Sequence, residues 1–127
     1  MLYPDNFEEK IGFNTIRQLL LGHCLSPLGR GLVDQIGFQT DIETLLPELE
    51  TVEELRQLLL FDEPFPAQEY HDLRAELKRL RTDGTYIEQE ELACLRGFIA
   101  TMTAIYVYLK VRQEDNKYPR LWALCEE

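Results

Sequence analysis

Thirteen consecutive residues, GFIATMTAIYVYL between Arg96 and Lys110, carry no charge at all. Around and within them Leu92, Leu95, Ile99, Met102, Tyr106 and Leu109 fall on alternating steps of three and four. On a helix of 3.6 residues per turn that spacing forms a single seam, and Phe98, Ile105, Val107 and Tyr108 widen it. The pattern predicts one long helix over about 88–114, covered on several sides by its own domain or by a partner. The uncharged run is short of the roughly 20 residues needed to cross a bilayer, so a membrane is not expected as a partner. No stretch shows sustained period-2 alternation, which predicts an all-α chain.

The remaining residues divide into shorter helices. A brief one is expected over Phe7 to Ile11, stopped near Gly12. Asn14 can cap a second, running to about His23 with Ile16, Leu19 and Leu20 inward. Ser26 then caps a third with Pro27 in its first position, closing near Gly37. Asp41 opens a helix to about Phe61 whose Ile42, Leu45, Leu49, Val52, Leu55 and Leu59 step by three or four. Pro47 lies too deep for the first turn and predicts a kink or break. FDEPFPAQE (61–69) reads as a loop. A helix from Tyr70 to Thr82 would bury Leu73, Leu77 and Leu80 and end at Asp83-Gly84. The final amphipathic piece, YPRLWALCEE, stops with Leu121, Trp122 and Leu124 in search of a core. Residues 1–127 therefore read as one helical domain of about six to seven helices, a fragment of something longer.

The chain carries 23 acids against 13 lysines and arginines, a net charge of −10. Such a balance argues against broad contact with nucleic acid or an anionic membrane. The charge is uneven. Asp41 to Glu69 holds nine acids and one base, whereas Arg74 to Arg81 holds four bases and one acid. Arg74, Lys78 and Arg81 recur at steps of four and three, with Arg79 beside them. That stripe is a candidate DNA-backbone contact, and it could equally pair with the acidic helix before it. Cys24, Cys94 and Cys125 are widely spaced, and the polar N-terminus lacks a signal-peptide core, so a reduced, cytoplasmic protein with buried thiols is expected.

Catalytic patterns are missing. LGRG at 28–31 lacks the preceding strand and the G-x-x-x-x-G-K-[ST] spacing of a nucleotide-binding loop. Ser26, Pro27 and Gly29 read instead as a helix junction, with Gly29 admitting a neighbouring helix. His23 and His71 have no metal-site spacing, and two histidines make no triad. No catalytic, cofactor-binding or metal-ligating residue is assigned, and the chain is not expected to be an enzyme.

Three stretches together resemble the start of a MutS-family protein of the second subfamily, whose members lack the mismatch-reading domain. IGFNTIRQLLLGHCLSPLGRGLVDQI is similar to the opening helix pair, with its junction at Ser26, Leu28, Gly29 and Arg30. TDIETLLPELETVEELRQLL is similar to the acidic helix that follows. YHDLRAELKRLRTDGTYIEQEELACLRGFI resembles the start of the long lever helix. Glu88 departs from the more usual Ser or Thr cap, and Pro47 interrupts the second long helix. The resemblance implies the N-terminal core and lever region of a DNA-binding ATPase in mismatch repair or recombination control. In the parent protein it implies ATP and Mg, a homodimeric clamp on DNA, and in many members a C-terminal nuclease domain. This piece would link the DNA clamp to the ATPase through the remainder of the parent chain. Phe7-Glu8-Glu9 spells the Phe-x-Glu wedge of mismatch readers, but Phe61-Asp62-Glu63 spells it again, so the pattern is too cheap to carry a role. The alternative reading is a free-standing helical protein–protein interaction module.

Overall fold

A computed structural model describes residues 5–67 and 70–126. Met1–Pro4, the end of the 61–69 loop at Gln68 and Glu69, and Glu127 lie outside the described residues. The described chain is all-α: α1 (Phe7–Lys10), α2 (Phe13–His23), α3 (Pro27–Gln35), α4 (Ile42–Phe61), α5 (Arg74–Arg79), α6 (Gln89–Glu114) and α7 (Pro119–Glu126). They pack as two compact units, Met1–Phe38 and Gln39–Glu127.

In the first unit α2 begins one residue ahead of the expected Asn14 cap. Gly12, at φ 76°, takes the N-cap position instead. Its amide donates to Glu9 O (3.1 Å) and its carbonyl accepts from Thr15 N (3.0 Å), so one left-handed residue closes α1 and opens α2. Asn14 sits inside the helix and accepts from Arg17 Nη1 (3.2 Å). Arg17 does more than that. Its Nη2 donates to Ile36 O (2.6 Å), just past α3, and to Glu8 of α1 (3.1 Å). Phe7 and Phe38 meet edge to face at 5.5 Å beside this tie. Ile16, Leu19 and Leu20, expected inward, are exposed. Two short helices against an eleven-residue one leave too little surface to cover them.

The Ser26 cap is present. Its side chain accepts from Gly29 N (3.0 Å), and Pro27 takes the first helical position, where an amide would have no intrahelical partner. What lies nearest Gly29 is not the neighbouring helix expected there. A Cβ there would meet Ser26 Oγ at 3.4 Å and Cys24 Cβ and Sγ at 3.9 Å, all within the same junction. These are ordinary van der Waals distances, and none of the three atoms belongs to another helix. At Gly31 an added Cβ would meet nothing within 4 Å.

In the second unit α4 is capped by Asp41, whose carboxylate accepts from Glu43 N (3.2 Å) and from the Thr44 hydroxyl. The helix runs unbroken through Pro47, so of the kink or break expected there, no break occurs. The core sits at the far end of α4, where Leu58 meets Leu109 of α6 and Leu121 of α7. Phe65, Ile105, Tyr108, Tyr118, Trp122 and Cys125 pack around those three. Leu124 of α7 remains exposed. The stripe expected to face inward on α4 is mostly outside, with Ile42, Leu49, Val52 and Leu59 at least half exposed. Position 58, not the 52–55–59 line, meets α7. By length and composition α6 is long and apolar enough to cross a membrane.

Ser26→Ala should lower stability by about 1 kcal/mol by removing the cap bond. Gly31→Ala should raise it by about 0.5–1 kcal/mol, because a helix-interior glycine is replaced where there is room. Denaturant unfolding followed by circular dichroism measures both.

Candidate functional site

The basic segment was the polar feature with most to offer, and its helix is shorter than the spacing suggests. Asp72 ends the preceding loop by accepting from Arg74 N (3.2 Å), so 70–73 stay outside the helix. At the other end the chain tightens, with Arg81 N donating to Lys78 O (3.2 Å) and Thr82 N to Arg79 O (3.0 Å). Gly84, at φ 81°, then reverses it. α5 therefore spans Arg74–Arg79 rather than 70–82, Leu77 is half exposed, and Arg81 lies in the turn.

The four cations have different fates. Arg74 clasps Asp72 through Nε (2.9 Å) and Nη2 (2.7 Å). The Arg74 hydrogen bonds pull the Asp72 carboxyl down to about 2. Arg79 donates to both oxygens of Glu91 (2.7 and 2.6 Å), and Glu91 in turn accepts from Glu88 N (2.9 Å) at the start of α6. Glu88 thus serves as the N-cap residue of the long helix although it is not a Ser or Thr. Lys78 and Arg81 are exposed and make no ion pair among the described residues. None of these cations pairs with the acidic α4, contrary to the expected local pairing. A phosphate backbone would find Lys78 and Arg81 ready and would compete with Asp72 for Arg74.

The acids of α4 serve α7 instead. Glu54 accepts from the amides of Arg120 (3.2 Å) and Leu121 (2.9 Å), the open donors of that helix's first turn. Glu50 accepts from Arg120 Nε at 2.8 Å. Nothing in the spacing of the acidic run distinguished Glu54 from its neighbours, because the partner is 67 residues away.

Sequence reasoning also missed the polar cluster beside the core. Arg112 Nη2 donates to Asp62 Oδ1 (2.5 Å), and Nη1 to Tyr108 O (3.0 Å). Its guanidinium carbon lies 3.3 Å from the centre of the Tyr108 ring. Tyr118 donates to the other Asp62 oxygen (3.1 Å), and Tyr108 to Glu63 O (2.7 Å). Arg112 and Asp62 are 11% and 13% exposed, so the pair is largely withdrawn from water. The Arg112 hydrogen bond, helped by the Glu63 amide and the Tyr118 hydroxyl, holds Asp62 far below the usual carboxylate range. Burial pushes both tyrosines up. The pair ties the end of α4 to α6, with the buried Arg112 Nε left without a hydrogen-bond partner among the described residues.

The helix junction gives no phosphate cradle. Gly29-Arg30-Gly31 lie within α3, with Gly29 N bound to Ser26 Oγ and Arg30 N to Ser26 O (3.1 Å). Those amides are engaged, and no strand precedes them among the described residues, so the residues present do not fit ATP. Among the described residues no three His, Cys, Asp or Glu side chains come together as a metal site. Cys24, Cys94 and Cys125 are free and only half-buried, less enclosed than expected.

Comparison with known proteins places the chain in a context. It is 25% identical over 116 residues to Endonuclease MutS2 of Fusobacterium nucleatum, a match covering 86% of this chain and 15% of that protein. The match supports a relationship to the MutS family. No family model and no solved structure matches. The chain thus spans about 15% of the length of the curated relative it matches.

The Asp62 cluster has a pH signature. A carboxyl depressed in the folded state adds stability above its unfolded value near 4, and that stability is lost as pH falls through and below it. Asp62→Asn should reduce stability at neutral pH and flatten the acid side of the stability–pH curve, read by urea unfolding between about pH 7 and pH 2.

Proposed function

We propose that this chain is a non-catalytic helical segment of a MutS-like DNA-processing ATPase, corresponding to its N-terminal core and lever region. The observation that carries the reading is the similarity to MutS2 along 86% of the chain. The long α6 supports it, since a continuous 26-residue helix of about 39 Å can carry motion between distant parts of a larger protein. In this reading nucleotide binding and hydrolysis belong to the remainder of the parent chain, together with DNA gripping and any nuclease activity. The parent acts as a homodimer in the cytoplasm, and this segment couples its DNA clamp to its ATPase.

Sequencing the complete reading frame tests this directly. A strand followed by G-x-x-x-x-G-K-[ST] and a helix beyond Glu127 is the expected result. A stop codon immediately after Glu127 would leave the free-standing interaction module as the better reading.

The net charge of −10 sets the second expectation. The 127-residue chain should hold duplex or branched DNA no more tightly than about 100 µM at physiological salt, within the range of non-specific binding. Reversing Arg74, Lys78 and Arg81 to Glu should change little. Fluorescence anisotropy across a salt series is the measurement. Submicromolar, salt-steep binding that disappears in the triple variant would instead make the basic segment a DNA contact in its own right.

A further inference from the structure

α7 is held differently from the two helices it joins. It packs on both α4 and α6, and more extensively on each than those two pack on one another. Its apolar hold is small: Leu121 is buried, Trp122 and Cys125 are half-buried, and Leu124 is exposed. Much of the docking is polar and is supplied by carboxylates on α4 or just past its end. Glu54 closes the amides of Arg120 and Leu121, and Glu50 takes the Arg120 side chain. Asp62 takes the Tyr118 hydroxyl.

The connection from α6 is complete before α7 begins. Asn116 N donates to Gln113 O (2.9 Å) and Lys117 N to Arg112 O (2.9 Å), with Asn116 left-handed at φ 55°. These bonds close the end of α6 by themselves, and asparagine tolerates that conformation. Tyr118 is left-handed as well, at φ 54°, but it lies past the last of them. The end of α6 does not require its conformation, which is costly for an aromatic residue. Docking holds it, through the ring against the core and the hydroxyl on Asp62. Releasing α7 therefore relaxes the backbone of its own hinge. The end of α4 has a separate grip on α6. Arg112 on Asp62, the Tyr108 hydroxyl on Glu63 O (2.7 Å) and the Phe65–Tyr108 edge-to-face pair (5.5 Å) all bypass α7.

We infer that α7 is a strap that opens and closes as a unit on a hinge at residues 116–118. Closed, it locks α4 against α6. Open, it leaves the two long helices tied only at the Asp62 end and bares Leu58, Ile105 and Leu109.

Native-state hydrogen exchange of the 127-residue chain, read amide by amide by NMR, tests this. The amides of residues 122–126 should share one level of protection, at least about tenfold below that of residues 108–112 on α6. Glu54→Ala should speed exchange of all the α7 amides about tenfold and leave 108–112 unchanged within about twofold. Tyr118→Phe removes only the hydroxyl, should speed α7 about threefold, and decides the matter if Glu54→Ala fails to fold. Trp122 is the chain's single tryptophan and packs 5.4 Å from Tyr106. Its emission should shift to the red at lower urea than the loss of helix by circular dichroism. Equal protection of α7 and 108–112, with coincident fluorescence and dichroism transitions, would make α7 a fixed part of the core and overturn the strap. So would exchange that rises equally in both segments of the variants. Protection that falls steadily from Trp122 to Glu126 would mean fraying from the end, and no protection in α7 would mean no docking; either overturns it as well.

Discussion

The second unit depends on Arg112 reaching Asp62. Three apolar side chains, Leu58, Leu109 and Leu121, are a small core for nearly ninety residues. What gives that core a single geometry is the polar cluster against it. Arg112 of α6 holds the residue that ends α4, and Tyr118, immediately before α7, holds the same carboxylate from the other side. One aspartate thereby joins three helices. The arrangement also accounts for the backbone at Tyr118, whose φ of 54° is a costly left-handed conformation for an aromatic residue. The hydroxyl bond to Asp62 and the packing of the ring against the core maintain it. Removing one member of such a withdrawn pair is more damaging than never having had it, because the other charge is left in poor solvent.

Arg17 has the corresponding part in the first unit. It ties α1 and α2 to the carbonyl that ends α3, in a unit where no described residue is fully buried. In each unit an arginine on the longest helix reaches groups at the ends of its neighbours. A guanidinium suits this task because its fork of donors can serve several acceptors at once. Glu54 performs the reverse operation, with one carboxylate closing two open amides at the start of α7.

How much of this could be read in advance varied with the range of the interaction. Ser26 and Pro27, Asp41 and the span of α6 were legible because a cap needs only residues two or three positions away, whereas Glu88 had read as a departure from the usual cap and takes that position all the same. The ends of α5 were not, since the local bond from Asp72 to Arg74 and the tightening at Thr82 outweighed a periodicity of three leucines. The basic stripe was visible as a charge pattern, but which of its members are paired was not. Arg74 and Arg79 have partners two and twelve residues away, whereas Lys78 and Arg81 have none among the described residues.

The sequence by itself determined that this chain is helical, where most of its helices begin, and that it resembles MutS-family proteins. Period and capping are properties of a few turns of chain. Only the tertiary structure decided which apolar lines become core. Leu58 is buried and Leu59 is exposed, and Leu109 is covered while Ile99 on the same seam is not. The reason is physical: periodicity names a face that can be buried, but burial requires another surface to reach it. In this chain α7, positioned by Glu54 and Asp62, reaches only one end of the two long helices.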